Sequence, residues 1–137
     1  MGLLDILGFR NKPEPKIITD FSLVDGGLYL DIINASDEVA LAVRHSFSTA
    51  LPAQGGSRNL ADLPLMDEVP FMAPRKHIRI FMDPLEVFLH FWQEASLRID
   101  IRYTNQNGKI FRSGSVHNLR ILDQLPPTSR VDFYHPV

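Results

Sequence analysis

From Lys16 onward the apolar positions of the chain recur mostly with a period of two. Ile17, Thr19, Phe21 and Leu23 alternate with Ile18, Asp20 and Ser22, and Asp25-Gly26-Gly27 supplies the positive-φ residues of a tight hairpin. The return strand runs from Leu28 to Asn34, with Leu28, Leu30 and Ile32 on one face. Beyond a polar turn from Asn34 to Glu38, the alternation predicts a third strand. It places Val39, Leu41, Val43, His45 and Phe47 inward, with Ala40, Ala42, Arg44, Ser46 and Ser48 outward. Ile78 and Ile80 place another strand over Lys76 to Met82. The cleanest alternation sets Leu97, Ile99, Ile101 and Tyr103 against Arg98, Asp100, Arg102 and Thr104. Asn107-Gly108 then turns the chain into a partner strand read as Lys109 to Leu122, in which Gly114 marks a bulge or bend.

One segment departs from this period. Asp83-Pro84-Leu85-Glu86 reads as N-cap, proline at the first helical position and capping-box Glu. Leu85, Phe88, Leu89 and Trp92 then fall at i, i+3, i+4 and i+7, a buried helical stripe. Val87, Leu89 and Phe91 also alternate as a strand would, and the cap decides for a helix near 84–93. The pattern predicts an all-β fold: an antiparallel β-sandwich of about seven strands with one short helix.

The period fails between Ala50 and Arg75, a connection of about 25 residues that carries Pro52, Gly55, Gly56, Pro64, Pro70 and Pro74. Leu60, Leu63, Leu65, Met66, Val69, Phe71 and Met72 make it too apolar for a solvated linker. Two readings stand: a lid over one end of the sandwich, or a partner-binding loop built on Leu65, Met66, Phe71 and Met72. The ends read similarly. Residues 1–15 form an apolar arm and a proline linker, 16–125 the sandwich with its insertion at 50–75, and 126–137 a tail. The arm's Leu3, Leu4, Ile6, Leu7 and Phe9 are either a helical turn packed on the domain or a segment that docks on a partner, a second protomer or a membrane surface. In the tail, Val131 and Phe133 suggest adhesion to the sandwich or to a neighbour.

Composition mainly narrows the field. A chain of 137 residues with 45% apolar content is long enough for one self-sufficient core. The absence of cysteine excludes disulfide scaffolds, thiolate metal sites and a thiol nucleophile. A net charge of −2 argues against a general nucleic-acid binder. The apolar start is too short to span a bilayer and lacks a secretory cleavage pattern, so a transmembrane segment is not expected and the Asn34-Ala35-Ser36 sequon is expected to be idle.

Little chemistry is legible. None of the five histidines sits at metal-ligand spacing from another, and His45 reads as a hydrogen-bonded core residue. Ser113-Gly114-Ser115 lacks a nucleophile elbow and an assignable base, and no carboxylate pair is implied. Arg44, Arg79, Arg98, Arg102 and Arg112 all fall in strand phases that face solvent. They read either as cross-strand partners of Asp31, Asp100 and similar acids or as a basic stripe for an anionic partner.

The runs "LYLDIINASDEVALAVRHSF", "PFMAPRKHIRIFM" and "LRIDIRYTNQNGKIFRSGSVHNL" resemble a bacterial immunoglobulin-like sandwich module over residues 16–122. The likeness rests on a strand ending in Asn34, the A-x-x-V of Ala40 to Val43, and the Y-x-x-x-x-G-K hairpin of Tyr103 to Lys109, with Arg75 in place of the glycine usual after proline. It implies an immunoglobulin-like fold and brings no catalytic residues. The expectation is therefore a non-enzymatic interaction or structural protein, with no cofactor and no metal. It would be cytoplasmic or peripheral to the inner membrane through residues 1–9, and would bind a protein partner or itself through Leu3, Leu4, Leu7, Phe9, Leu65, Met66, Phe71 and Met72. The alternative is a ligand- or carbohydrate-binding sandwich that uses Tyr29, Trp92 and Tyr103.

Overall fold

The computed structural model describes residues 13–124 and the short strand Val131–Asp132. The arm residues Leu3, Leu4, Leu7 and Phe9, and Phe133 of the tail, lie outside the described residues.

Two four-stranded antiparallel sheets enclose a single apolar core. The first holds β1 (Ile17–Val24), β2 (Gly27–Asn34), β7 (His77–Pro84) and β10 (Val131–Asp132), in the order β10-β1-β2-β7. The second holds β3 (Ala40–Phe47), β6 (Val69–Met72), β8 (Leu97–Thr104) and β9 (Ile110–His117), in the order β6-β3-β8-β9. The fold is thus an all-β sandwich with one short helix across it, α2 (Leu85–Phe91). Leu23, Leu28, Leu30 and Ile32 of the first sheet pack against Val43, Leu97, Ile99 and Ile101 of the second, all of them buried. The tail residues Val131–Asp132 pair with Ser22 and Leu23, so this part of the tail adheres to its own sandwich.

The β1–β2 turn is made by Asp25 (φ 51°) and Gly26 (φ 79°), while Gly27 already belongs to β2. At its far end β2 is pinned by Asn34. This fully buried amide donates from Nδ2 to the carbonyls of Glu38 (2.8 Å), Ala73 (3.1 Å) and Met72 (3.2 Å), and its Oδ1 accepts from the Ser36 hydroxyl (2.7 Å). The Nδ2 atom of this sequon asparagine is thus sealed in the core. One side chain ties the β2–β3 turn to the β6–β7 connection.

Five expectations need correction. In β3, Ala40 is buried, whereas Val39 and Leu41, expected inward, are only half-buried. A bulge causes this: between the Leu41–Thr104 and Arg44–Arg102 pairs, Ala42 and Val43 stand opposite the single residue Tyr103, and Ala42 takes up the excess at φ 50°. The phase expected after Ala42 is correct and the phase before it is reversed. In the insertion, a two-residue hairpin of β4 (Pro52–Ala53) and β5 (Arg58–Asn59) leads into a 3₁₀ turn at Leu60–Asp62 and the single turn α1 (Pro64–Asp67). β6 then joins the second sheet as an edge strand, an element the Pro70 interruption hides from alternation.

The helix near 84–93 is present, but its cap differs. Pro84 occupies the N-cap position, and the Asp83 carboxylate instead accepts the Gly55 N–H at 3.0 Å, fastening the insertion to the end of β7. β9 stops at His117 rather than Leu122, and Leu119–Gln124 forms a 3₁₀ helix packed on α2. Finally, Gly114 is no bulge. It pairs in regular register with Asp100, and a Cβ there would stand 2.8 Å from Asp100 Oδ1 and 3.0 Å from Arg98 Nη2. The glycine makes room for an ion pair lying across the strand.

Candidate anion-binding face

The second sheet turns its even-numbered β8 residues away from the core, and the register determines what stands beside them. Arg44 on β3 is directly opposite Arg102 on β8, which is directly opposite Arg112 on β9. Three arginines therefore lie in one row across three strands. The neighbouring row on the same face is Phe71, Leu41, Thr104 and Ile110, contributed by β6, β3, β8 and β9. The row on the other side is Ser46, Asp100 and Gly114.

Like charges directly opposite one another destabilise a sheet, and the surroundings relieve only part of this. Arg44 donates to Glu68 Oε1 at 3.1 Å, and Arg98 grips Asp100 at 2.9 Å across the top of Gly114. Both pairs are well exposed, the setting in which an ion pair contributes little. Arg102 and Arg112 have no ion pair or side-chain hydrogen bond among the described residues. Their Cα atoms form a pair whose backbones do not bond each other, about 4.5 Å apart, which brings the side chains close. A shallow groove of about 600 Å³ runs over this face, lined by Arg44, Arg98, Arg102 and Arg112, the Asp100 carboxylate and the open strip at Gly114. A chain of net charge −2 thus concentrates four guanidinium groups on one patch.

Arginine forks of this kind match carboxylate or phosphate oxygens bidentately. Next to them Phe71 is 58% exposed and Ile110 is 47% exposed, which adds apolar contact area on the same face. Aromatic residues and arginine are the side chains that dominate protein–protein contact energies.

The residues expected to bind a partner are dispersed. Phe71 reaches this face. Met66 and Met72 are fully buried in the core, where the insertion acts as a lid, and Leu65 is half-buried against it. Trp92 and Tyr103 are buried as well. Tyr29 is flanked by the Phe81 ring at 5.3 Å and the Arg79 guanidinium at 5.5 Å, so none of the three is an open platform for a sugar or a base. Of the arginines read as a possible stripe, Arg79 is absorbed by the first sheet: its Nε donates to Asp31 at 2.7 Å, beside His77 at 2.9 Å. Burial opposes ionisation of Asp31, but Arg79, Ser22 and His77 outweigh it and hold its pKa below the ordinary carboxylate value.

Sequence reasoning found no base for a serine, yet Ser115 Oγ and His117 Nε2 are 2.8 Å apart and His117 Nδ1 lies 3.5 Å from Asp20 Oδ1. A Ser-x-His spacing on an alternating strand is the signal for the first contact; only the fold supplies the second. The row runs from the second sheet to the first. Asp20 Oδ1 already accepts the Phe21 N–H at 2.8 Å, and the His117 ring stands edge-on to Phe21 at 5.2 Å, closing the gap between the two sheets. The Arg102–Arg112 pair was legible too, since the two residues are equidistant from Asn107 at the tip of the hairpin.

A family model described as a domain of unknown function, DUF8453, matches residues 9–123. The chain belongs to that family. The matched segment takes in all three rows of the arginine face and all of the strands except β10. No curated protein and no solved structure matches the chain. Among the described residues no group of three or more His, Asp or Glu could hold a metal ion, and no helix is long and apolar enough to cross a membrane.

Proposed function

We propose that this protein is a non-enzymatic binding module that grips an acidic surface of a partner protein with the outer face of its second sheet. The observation that carries the reading is the side-by-side placement of Arg102 and Arg112, without carboxylate partners among the described residues, beside the exposed row of Phe71 and Ile110. Retaining two adjacent cations without counter-charges among the described residues costs stability, which a binding role explains. The apolar arm (Leu3, Leu4, Leu7 and Phe9) is retained in the proposal as a second contact to the partner or to another protomer. The bacterial, cytoplasmic setting belongs to the proposal as well. So does the immunoglobulin-like resemblance, supported by the allotment, among the seven strands of four or more residues, of the first, second and fifth to one sheet and the third, fourth, sixth and seventh to the other.

The test is fluorescence anisotropy with a labelled oligoglutamate peptide at low ionic strength. The intact chain is expected to bind it, and raising the salt to weaken that binding. Arg102→Ala with Arg112→Ala is expected to weaken it roughly tenfold or more, equivalent to about 1.4 kcal/mol or more, while leaving the melting temperature unchanged or raised. Equal binding by the double variant overturns the reading.

A further inference from the structure

The edges of the two sheets are unequally protected. The outer edge of β1 is occupied at Ser22 and Leu23 by β10. On β7 the Met82 carbonyl accepts the Gln54 N–H at 3.1 Å, and the strand ends in Pro84. β6 is four residues long and contains Pro70. β9 differs: it runs for eight residues without proline or bulge and has a neighbour on one side only among the described residues.

The direction of its free backbone groups follows from the ladder. Asn105 N–H donates to Lys109 C=O at the hairpin end, while Arg98 C=O accepts from Ser48 N–H on the β3 side. In an antiparallel ladder such bonds alternate. The odd-numbered residues of β9 therefore bond to β8. Ile110, Arg112, Gly114 and Val116 direct their N–H and C=O groups outward. The side chains of these same four residues lie on the arginine face, where Val116 is 64% exposed. An eight-residue edge with two exposed apolar residues and one charge is a template for strand addition.

We propose that β9 takes up an extended acidic segment of a partner protein as an additional antiparallel strand. The inference rests on the function proposed above and specifies the partner. The side chain opposite Arg112 is a carboxylate, which completes the row from Arg44 and neutralises the adjacent arginines. Those opposite Ile110 and Val116 are apolar. The one opposite Gly114, facing the Arg98–Asp100 pair, is small and polar. Between these positions, Ser113 and Ser115 on the other face favour polar residues opposite them, while the Phe111 ring is already stacked on Tyr103 at 5.5 Å and leaves a polar residue opposite it unopposed. In the N-to-C direction the segment reads apolar, polar, small polar, polar, acidic, polar, apolar.

The probe is a fluorescent peptide, Val-Thr-Ser-Thr-Glu-Thr-Val, with a second peptide carrying Lys in place of Glu. The full chain is expected to bind the Glu peptide and to bind the Lys peptide roughly tenfold or more weakly. Val116→Pro removes an outward N–H without touching the β8 ladder. It is expected to weaken binding by roughly tenfold, whereas Val116→Thr stays within about threefold. In the unsubstituted protein, peptide binding is expected to slow hydrogen exchange at the amides of Ile110, Arg112, Gly114 and Val116, a readout independent of how any variant folds. If Val116→Pro binds as the parent does and these amides stay unprotected while Arg112→Glu abolishes binding, the added strand is wrong and the charged face stands. If neither peptide binds, the inference fails. If the chain is a dimer by light scattering that Val116→Pro dissociates, the occupant is a second copy and the inference of an acidic partner is overturned.

Discussion

Replacing Asn34 by alanine gives a sharp test of how the sandwich is held together, because one buried side chain serves three backbone segments. The amide has two hydrogens for the carbonyls of Glu38, Met72 and Ala73, so one is shared, and its oxygen accepts from the Ser36 hydroxyl and, at 3.2 Å, from the Ser36 N–H. About four bonds at roughly 1 kcal/mol each would be lost. Water entering the vacated space recovers part of that, leaving a destabilisation of about 3–4 kcal/mol against a total of about 5–15 kcal/mol for a domain. At about 4 °C per kcal/mol for a chain of this size, the melting temperature falls by about 10–15 °C while the protein still folds. The measurement is calorimetry with a parallel urea titration, where the midpoint should drop at constant slope. Asn34→Asp sharpens the reasoning. Its carboxylate faces three carbonyl oxygens, so it is expected to be worse than alanine at neutral pH. Its folded-state pKa is raised, so stability returns as the pH falls through that value and the acid regains a proton to donate. A loss below about 1 kcal/mol for Asn34→Ala, or an aspartate variant indifferent to pH, refutes the account.

Two further predictions concern buried charge and strand packing. Burial lowers the His45 pKa from 6.5 to about 4, with Nε2 held 2.6 Å from Thr19 Oγ1. The unfolded chain therefore takes up a proton first, and stability is expected to fall by roughly 3 kcal/mol as the pH drops from 6.5 to about 4, then level off. In His45→Gln that part of the acid limb of a urea-unfolding titration should flatten; an unchanged slope contradicts the assignment. Gly114→Ala should displace the Arg98–Asp100 pair from above the strand at a cost within about 0.5 kcal/mol, since the pair is exposed. The released Arg98 should then tighten oligoglutamate binding, whereas weaker binding would show that the pair forms part of the site.

Most of the core was legible because it follows a period of two: the β1–β2 and β8–β9 hairpins fall where alternation and turn glycines place them. What escaped shares one physical cause, competition from a partner distant in sequence. Asp83 has the spacing of a helix cap, but Gly55, 28 residues away, takes its carboxylate. β6 is a strand only because β3 offers its edge; Pro70 and its four-residue length deny it any local signature. Gly114 looks like a defect until Asp100 and Arg98 are placed over it. The candidate site was half legible. Strand phase turned the arginines outward, but which of them retained a carboxylate depended on register and on Glu68 beyond the bulge.

That bulge also governs how relatives within the family are to be compared. Because Ala42 is one residue in excess, it works like a single-letter insertion in a reading frame: every side chain of β3 after it owes its face to that letter. A relative lacking it could retain an arginine that aligns with Arg44, yet turn that arginine into the core or pair it beside a different residue of β8. The row from Arg44 to Arg112 is thus a property of ladder position. Residues in related chains correspond to it only when the count of positions between the β2–β3 turn and the β3–β8 pairing is the same.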